Sequence, residues 1–378
     1  MFSTVYPDAP VGAPVQKIEA LAQCAGEVKY TSDGRLPSGC LFGVPVIAYK
    51  VKATIESIDA SAALAMEGVE AFVSAADLKD IGATNSIGSE GYEIFAATTT
   101  SHVGQFLGMI LADAQSIGER AVKVVKVTYN ASDDAGGDGG GGVVATMHDE
   151  RSEVGHVYPD IVTGAGTGAG AGAGAGTATG TMSTSGQKHF YMETQTTLAE
   201  PGERGTLMVT CACQAIGILR SELASSLAKL ESKITVQNNR VGGAYGGKAF
   251  LHISIAIATS AAALKVNRPV LCQLDRNTDM ISLGSRVPAS IKMSADYTAS
   301  GQITALSMDA TVDGGYTKAG GNQVTSLNAY DIKGAKMSNT TMLTDTPCNS
   351  IMRAPGTYQG ALFMEAVSAP SPYVTFTF

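Results

Sequence analysis

Tryptophan is absent from this 378-residue chain, but other absences are more informative. The six cysteines, at 24, 40, 211, 213, 272 and 348, form no CxxC pair. Neither a zinc ribbon nor a thioredoxin-like motif is therefore suggested. Basic charge is short: Lys and Arg number 26 against 34 acidic residues, a formal net charge of -8. That balance argues against nucleic acid or an anionic membrane surface as the main partner. The N-terminus has no basic region followed by an apolar run. The longest apolar stretch, residues 253–264, is broken by Ser and Thr and is too short to span a bilayer. A soluble chain in a reducing, cytoplasmic compartment is the expectation. Cys211 and Cys213 share a face of one strand, which reads as ordinary burial.

What the chain has in excess is glycine, 44 residues of it. Two glycine-dense turns organise the reading: Val241-Gly-Gly-Ala-Tyr-Gly-Gly-Lys248 and Arg353-Ala-Pro-Gly-Thr-Tyr-Gln-Gly360. Each is read as following a strand and preceding a helix. Glycine lets backbone amides approach a ligand, and a helix N-terminus favours phosphate. Gly242, Gly243, Ala244, Tyr245, Gly246 and Gly247 are expected to grip a phosphate-bearing cofactor from one side, Arg353 and Gly356 from the other. A nucleotide-binding module is disfavoured. Ala249 stands where a P-loop needs a hydroxyl, and GxGxxG spacing is missing.

Strand-like and helix-like segments alternate between residues 15 and 131, which argues for a mixed α/β domain. An extended arm over 1–14 precedes it. Residues 132–185 break the pattern: 136–142 are nearly pure glycine, and 164–181 contain only Gly, Ala and Thr. The segment reads as a flexible linker or as a degenerate strand pair. Ordered text resumes at 186. A second domain over 186–367 holds a helix at 216–230, a strand at 234–237, a helix at 249–264 and a hairpin of 289–297 with 303–312. Residues 313–350 read as irregular, and 368–378 as a tail.

The order of motifs resembles the xanthine dehydrogenase and aldehyde oxidase family. Gly186-Gln-Lys-His-Phe-Tyr-Met-Glu-Thr-Gln195 is similar to that family's GQEHFYLET segment, and Val241–Lys248 to its GGGFGGK loop. Arg268-Pro-Val, Asp275-Arg and Asp279-Met280 are similar to its RPV…LDR…DM stretch. Arg353–Gly360 with Glu365 is similar to a further family loop, and Ala25–Tyr30, Ser57–Ser61 and residues 66–76 match its first domain. The resemblance implies an α/β (α+β) fold: a hammerhead-like α/β domain, then the first molybdopterin-binding α/β domain of the aldehyde oxidase type.

It also implies oxidation of an aldehyde or N-heterocycle with water-derived oxygen. A glutamate acts as base, and electrons leave through iron–sulfur clusters and flavin. Molybdopterin is the implied cofactor. By the same resemblance Gln214 lies near a molybdenum ligand, Tyr245 reaches toward the metal, Arg286 orients substrate and Arg353 approaches the centre. The plainer alternatives are a satisfied polar residue for Gln214, loop packing for Tyr245, a surface ion pair for Arg286 and a loop brace for Arg353. Ala249 replaces the glutamate of purine oxidisers, which argues against xanthine. Glu193 and Glu365 lie outside the base's motif. The matched motifs cover half of the molybdopterin-binding portion and include no FAD or iron–sulfur site. The missing parts are expected on other protein chains. The alternative is an inactive homologue serving as a structural subunit of a larger assembly.

Overall fold

The computed structural model describes residues 10–88, 92–130, 154–163, 176–317, 323–332 and 334–368. The strands are β1 (Leu41–Ile47), β2 (Ile55–Asp59), β3 (Val69–Ser74), β4 (Phe106–Ala112), β5 (Lys126–Tyr129), β6 (Val154–Thr163) and β7 (Gly176–Thr184). They continue with β8 (Thr196–Pro201), β9 (Leu207–Cys211), β10 (Ile234–Gln237), β11 (Val270–Gln273), β12 (Ala289–Tyr297), β13 (Ile303–Gly315) and β14 (Ala335–Leu343). The helices are α1 (Ala20–Cys24), α2 (Ser61–Leu64), α3 (Gln115–Ala121), α4 (Ile216–Ser226), α5 (His252–Val266), α6 (Arg276–Ser282) and α7 (Thr357–Ser368).

A seven-stranded sheet runs β10-β9-β8-β11-β1-β4-β3. Its centre is apolar on both faces. Phe-Leu-Gly-Met-Ile-Leu-Ala in β4 is buried at every position, the pattern of a strand covered on both sides. β1 pairs in parallel with β11, Leu41 opposite Val270, so the first third of the chain and the glycine-loop region share one sheet. α5 packs on this sheet and is buried nearly all round, as its run of Ile and Ala requires. Asn267 ends it in the left-handed conformation, φ 51°. β2 and β5 form a small separate pair beside α2 and α3.

The second sheet runs β6-β14-β13-β12-β7, with α7 against it and Phe363 and Met364 in its core. The hairpin of β12 and β13 forms in the expected register, Ala289 opposite Val312. Three sequence expectations change. Residues 313–350 are not wholly irregular, because β14 lies there parallel to β13. Its inward positions are Ala335, Met337, Asn339 and Thr341, and the two polar ones hid the alternation. α4 stops at Ser226 rather than 230, because Ala228 turns left-handed at φ 49°. The segment before the Arg353 turn holds no regular strand, only an isolated bridge from Ser350 to Arg286. Within the segment read as linker or degenerate strands, β7 pairs with β12 over nine positions while mostly exposed. Backbone bonds rather than side-chain burial hold it. Readings of residues 1–9, 136–142, 164–175 and 369–378 fall outside the described residues. No described helix is long and apolar enough to cross a membrane.

Gly104 joins the first region to the second. Its φ is +87°, and a Cβ there would stand 2.7 Å from Ser282 Cα and 2.9 Å from the Ile281 carbonyl oxygen. Gly82 is also left-handed, φ +70°, but a Cβ there meets nothing within 4 Å. Gly82→Ala is therefore predicted to cost about 1 kcal/mol for the backbone conformation alone. Gly104→Ala adds a clash with backbone and is predicted to cost about 2–4 kcal/mol. Urea denaturation of both variants checks this, and equal losses would contradict the close approach at Gly104.

Candidate cofactor cradle and adjoining cavity

The Gly242 loop rests on a buried ion pair. Lys248 Nζ lies 2.9 Å from Glu193 Oε2, with side chains 0% and 7% exposed. Burial pushes the Lys248 ammonium below its usual range, and the Glu193 hydrogen bond opposes that shift. The same Glu193 oxygen accepts from the Gly242 amide at 2.7 Å. The Lys248 cation also stands 4.8 Å from the centre of the Tyr191 ring. Around Tyr191 the network closes: Gln195 Nε2 donates to Tyr191 Oη at 2.9 Å and to the Gly247 carbonyl at 3.1 Å. Asp279 Oδ2 accepts from the Gln195 amide at 2.9 Å, and burial raises the Asp279 carboxyl. Residues 186–195 are thus the floor beneath the loop. Glu193 uses its Oε2 in this floor, while its Oε1 is buried with no hydrogen-bond partner among the described residues.

Two of the glycines are required by that floor and a third by the chain leading into the second turn. A Cβ on Gly242 would stand 2.6 Å from Glu193 Cβ, one on Gly246 2.6 Å from the Ile351 carbonyl oxygen, and one on Gly247 2.7 Å from His189 and Tyr191. The two glycine turns therefore touch each other directly. The Arg353 amide donates to the Tyr245 carbonyl at 2.9 Å, and His189 Nε2 lies 2.8 Å from the Ile351 carbonyl oxygen.

Gln214 sits just past β9 with its side chain exposed, and its Oε1 accepts from the Gly246 amide at 3.1 Å. Tyr245 is left-handed at φ 53° and 49% exposed. Arg286 is buried, not a surface ion pair. It donates to Gln187 Oε1 at 3.1 Å and to the carbonyls of Met352 and Arg353 at 2.9 Å each. Its guanidinium also lies over the Tyr358 ring, 4.7 Å from the centroid. The Arg353 side chain is exposed and has no partner among the described residues. Gly356 is buried immediately before α7.

These residues fit an anionic, phosphate-bearing group. The amides of Gly243, Ala244 and Tyr245 have no hydrogen-bond partner among the described residues. Together with the Arg353 guanidinium they supply donors and positive charge, while Glu193 is neutralised underneath. Beside both turns lies a cavity of about 420 Å³. Phe250 and Leu251, which follow Ala249, form part of its wall, as do Ser350 and Ile351, which precede Arg353. Sequence reasoning missed the Lys248–Glu193 pair and this cavity. Lys248 was visible as the end of its motif, but its partner lies 55 positions away.

Residues 148–368 match the family described as molybdopterin cofactor-binding domain, and residues 25–133 the aldehyde oxidase and xanthine dehydrogenase a/b hammerhead domain. This chain belongs to the xanthine dehydrogenase and aldehyde oxidase family of molybdenum hydroxylases. It is 30% identical to xanthine dehydrogenase of Drosophila subobscura, over 95% of this chain and 27% of that protein. It is 31% identical to indole-3-acetaldehyde oxidase of Arabidopsis thaliana, over 95% of this chain and 28% of that protein. The chain thus spans about a quarter of the length of these curated relatives. The fold is also that of the aldehyde oxidoreductase from Desulfovibrio desulfuricans. There the TM-score is 0.76 at 20% identity, covering 93% of this chain and 41% of that one. For quinoline 2-oxidoreductase from Pseudomonas putida the TM-score is 0.72 at 22% identity, covering 90% and 45%.

The buried titratable groups lead to two predictions. Lys248→Met leaves the Glu193 carboxylate buried without its cation and is predicted to cost about 3–5 kcal/mol. The double variant Lys248→Met/Glu193→Gln should regain at least about 1 kcal/mol, because the amide still accepts from Gly242. Denaturation of the two variants tests this, and a double variant worse than the single would contradict it. The second concerns His102 and His252, both buried, whose imidazoles burial pushes down to about 4. Both stay neutral in the fold, so the unfolded chain takes up more protons once pH falls below about 6.5. Their contribution, roughly 3 kcal/mol each, is full above that pH and is lost as pH falls towards 4. His252→Leu should therefore flatten the fall in stability between pH 7 and 5, measured by urea midpoints. An unchanged slope would contradict the neutral buried imidazole.

Proposed function

We propose that this chain is part of a molybdenum hydroxylase that oxidises an aldehyde or an N-heterocycle with water-derived oxygen. The observation that carries the reading is that the amides of Gly243, Ala244 and Tyr245 have no partner among the described residues, in a turn bonded to the backbone of the exposed Arg353. When bound, the molybdenum cofactor supplies the two-electron oxidation. The chain's own residues hold and orient. The three amides and Arg353 bind the phosphate-bearing part of the pterin. Gln214 fixes the Gly246 amide and so sets the loop's height. Arg286 ties down the carbonyls of Met352 and Arg353 and so aims the second turn. The cavity beside the turns takes the apolar body of the substrate and excludes water from it. Ala249 places no carboxylate at the purine position, which favours an aldehyde over xanthine. The base, the rest of the cofactor site, and the iron–sulfur and flavin carriers belong to further segments or chains. A reducing compartment such as the cytoplasm suits six cysteines that are all free.

The test is metal and pterin analysis of the natively purified protein, with co-purifying chains identified by mass. Molybdenum and a pterin are expected. Arg353→Ala and Ala244→Asp should each lower pterin content at least about tenfold, the size of a lost charge-assisted contact, with melting unchanged. No molybdenum and no pterin in the wild type would overturn the reading and favour a structural subunit.

A further inference from the structure

The charged side chains among the cavity's lining residues are acidic, and the nearby Lys188 ammonium is held by the Leu283 carbonyl. Among its described lining residues there is no Lys or Arg, and the carboxylates are Glu93 and Glu222. The remaining titratable groups stay neutral near pH 7. His102 is held down to about 4, and burial pushes the Tyr92 and Tyr316 phenols well up. The two carboxylates differ. Glu93 Oε1 is taken by Asn85 Nδ2 at 3.3 Å. Glu222 Oε2 is buried and has no hydrogen-bond partner among the described residues. Gly88 lies against it without a side chain: a Cβ there would stand 3.7 Å from that oxygen. A buried acceptor without a donor is costly, and a ligand that brings a donor removes the cost. The surrounding wall is largely apolar and aromatic, with Phe106, Phe250, Tyr92 and Tyr316 among its lining.

We propose that this cavity selects ligands joining an apolar ring system to a protonated amine or N–H donor, with the Glu222 carboxylate as the acceptor that reads the donor. As a statement about substrate it rests on the hydroxylase reading above. As a statement about binding it does not, because the test involves no turnover. An anionic ligand of the same shape is repelled by both carboxylates.

The test is calorimetric titration of the natively purified protein with naphthylmethylamine, naphthylmethanol and naphthoate at physiological salt. The amine should bind at least about tenfold more tightly than the alcohol, and naphthoate most weakly. Glu222→Gln should bring the amine within about threefold of the alcohol while leaving the alcohol's Kd unchanged. Glu56→Gln, which removes an exposed charge elsewhere, should retain the full preference. Equal binding of amine and alcohol to the wild type would overturn the proposal, and needs no variant. So would a preference that survives Glu222→Gln. Lack of molybdenum would sink the hydroxylase reading and leave this result standing.

Discussion

A lysine with no solvent exposure must be paired, and in this chain that requirement shapes the whole site. Lys248 meets Glu193, and the same carboxylate oxygen holds the Gly242 amide. The pair is not there for stability alone, since an apolar pair of similar volume can serve as well. It fixes where the glycine loop begins and ends. Its first amide and its last side chain are both bound to one oxygen. What lies between, at Gly243, Ala244 and Tyr245, is left with amides that have no partner among the described residues. The Tyr191 ring beneath the lysine, and Gln195 and Asp279 around that ring, extend the same constraint into α6.

The second turn depends on the first. Tyr245 accepts from the Arg353 amide, and a side chain at Gly246 would strike the Ile351 carbonyl. Arg286 closes the arrangement from below. It spends its donors on carbonyls of residues 352 and 353 and on Gln187. A guanidinium that binds two successive carbonyls defines the direction of a loop in a way that a single point charge cannot. The cavity follows from these contacts. Its wall is drawn from the segment around Tyr92 and Gly104, from α4 and α5, and from residues 348–351, which are tied to Gly314 and Ser285 by backbone hydrogen bonds.

Much of this was legible in the sequence, and the remainder was hidden for identifiable reasons. The glycine turns, the strand of β10, the hairpin of β12 and β13 and the burial of α5 followed from local pattern, where the period and the turn residues agree. β14 did not, because Asn339 and Thr341 occupy inward positions that an apolar rule assigns to the surface. β7 did not, because its pairing is made by backbone atoms in a run with almost no side-chain signal. The partner of Lys248 and the lining of the cavity were invisible because they are tertiary facts. Glu93, Glu222 and Cys348 lie far apart in sequence, and no spacing rule relates them. The site residues themselves came from motif order rather than from periodicity. The structure adds what Gln214 and Arg286 touch.

The central claim is that one buried ion pair holds both turns in their mutual position. Hydrogen–deuterium exchange on peptides covering residues 241–248 and 351–356 measures this most directly, in the wild type and in Glu193→Gln under conditions where both are folded. The account predicts that the two peptides lose protection together, because the second turn is bonded to the first. Loss confined to residues 241–248, or no change in either peptide, would contradict it.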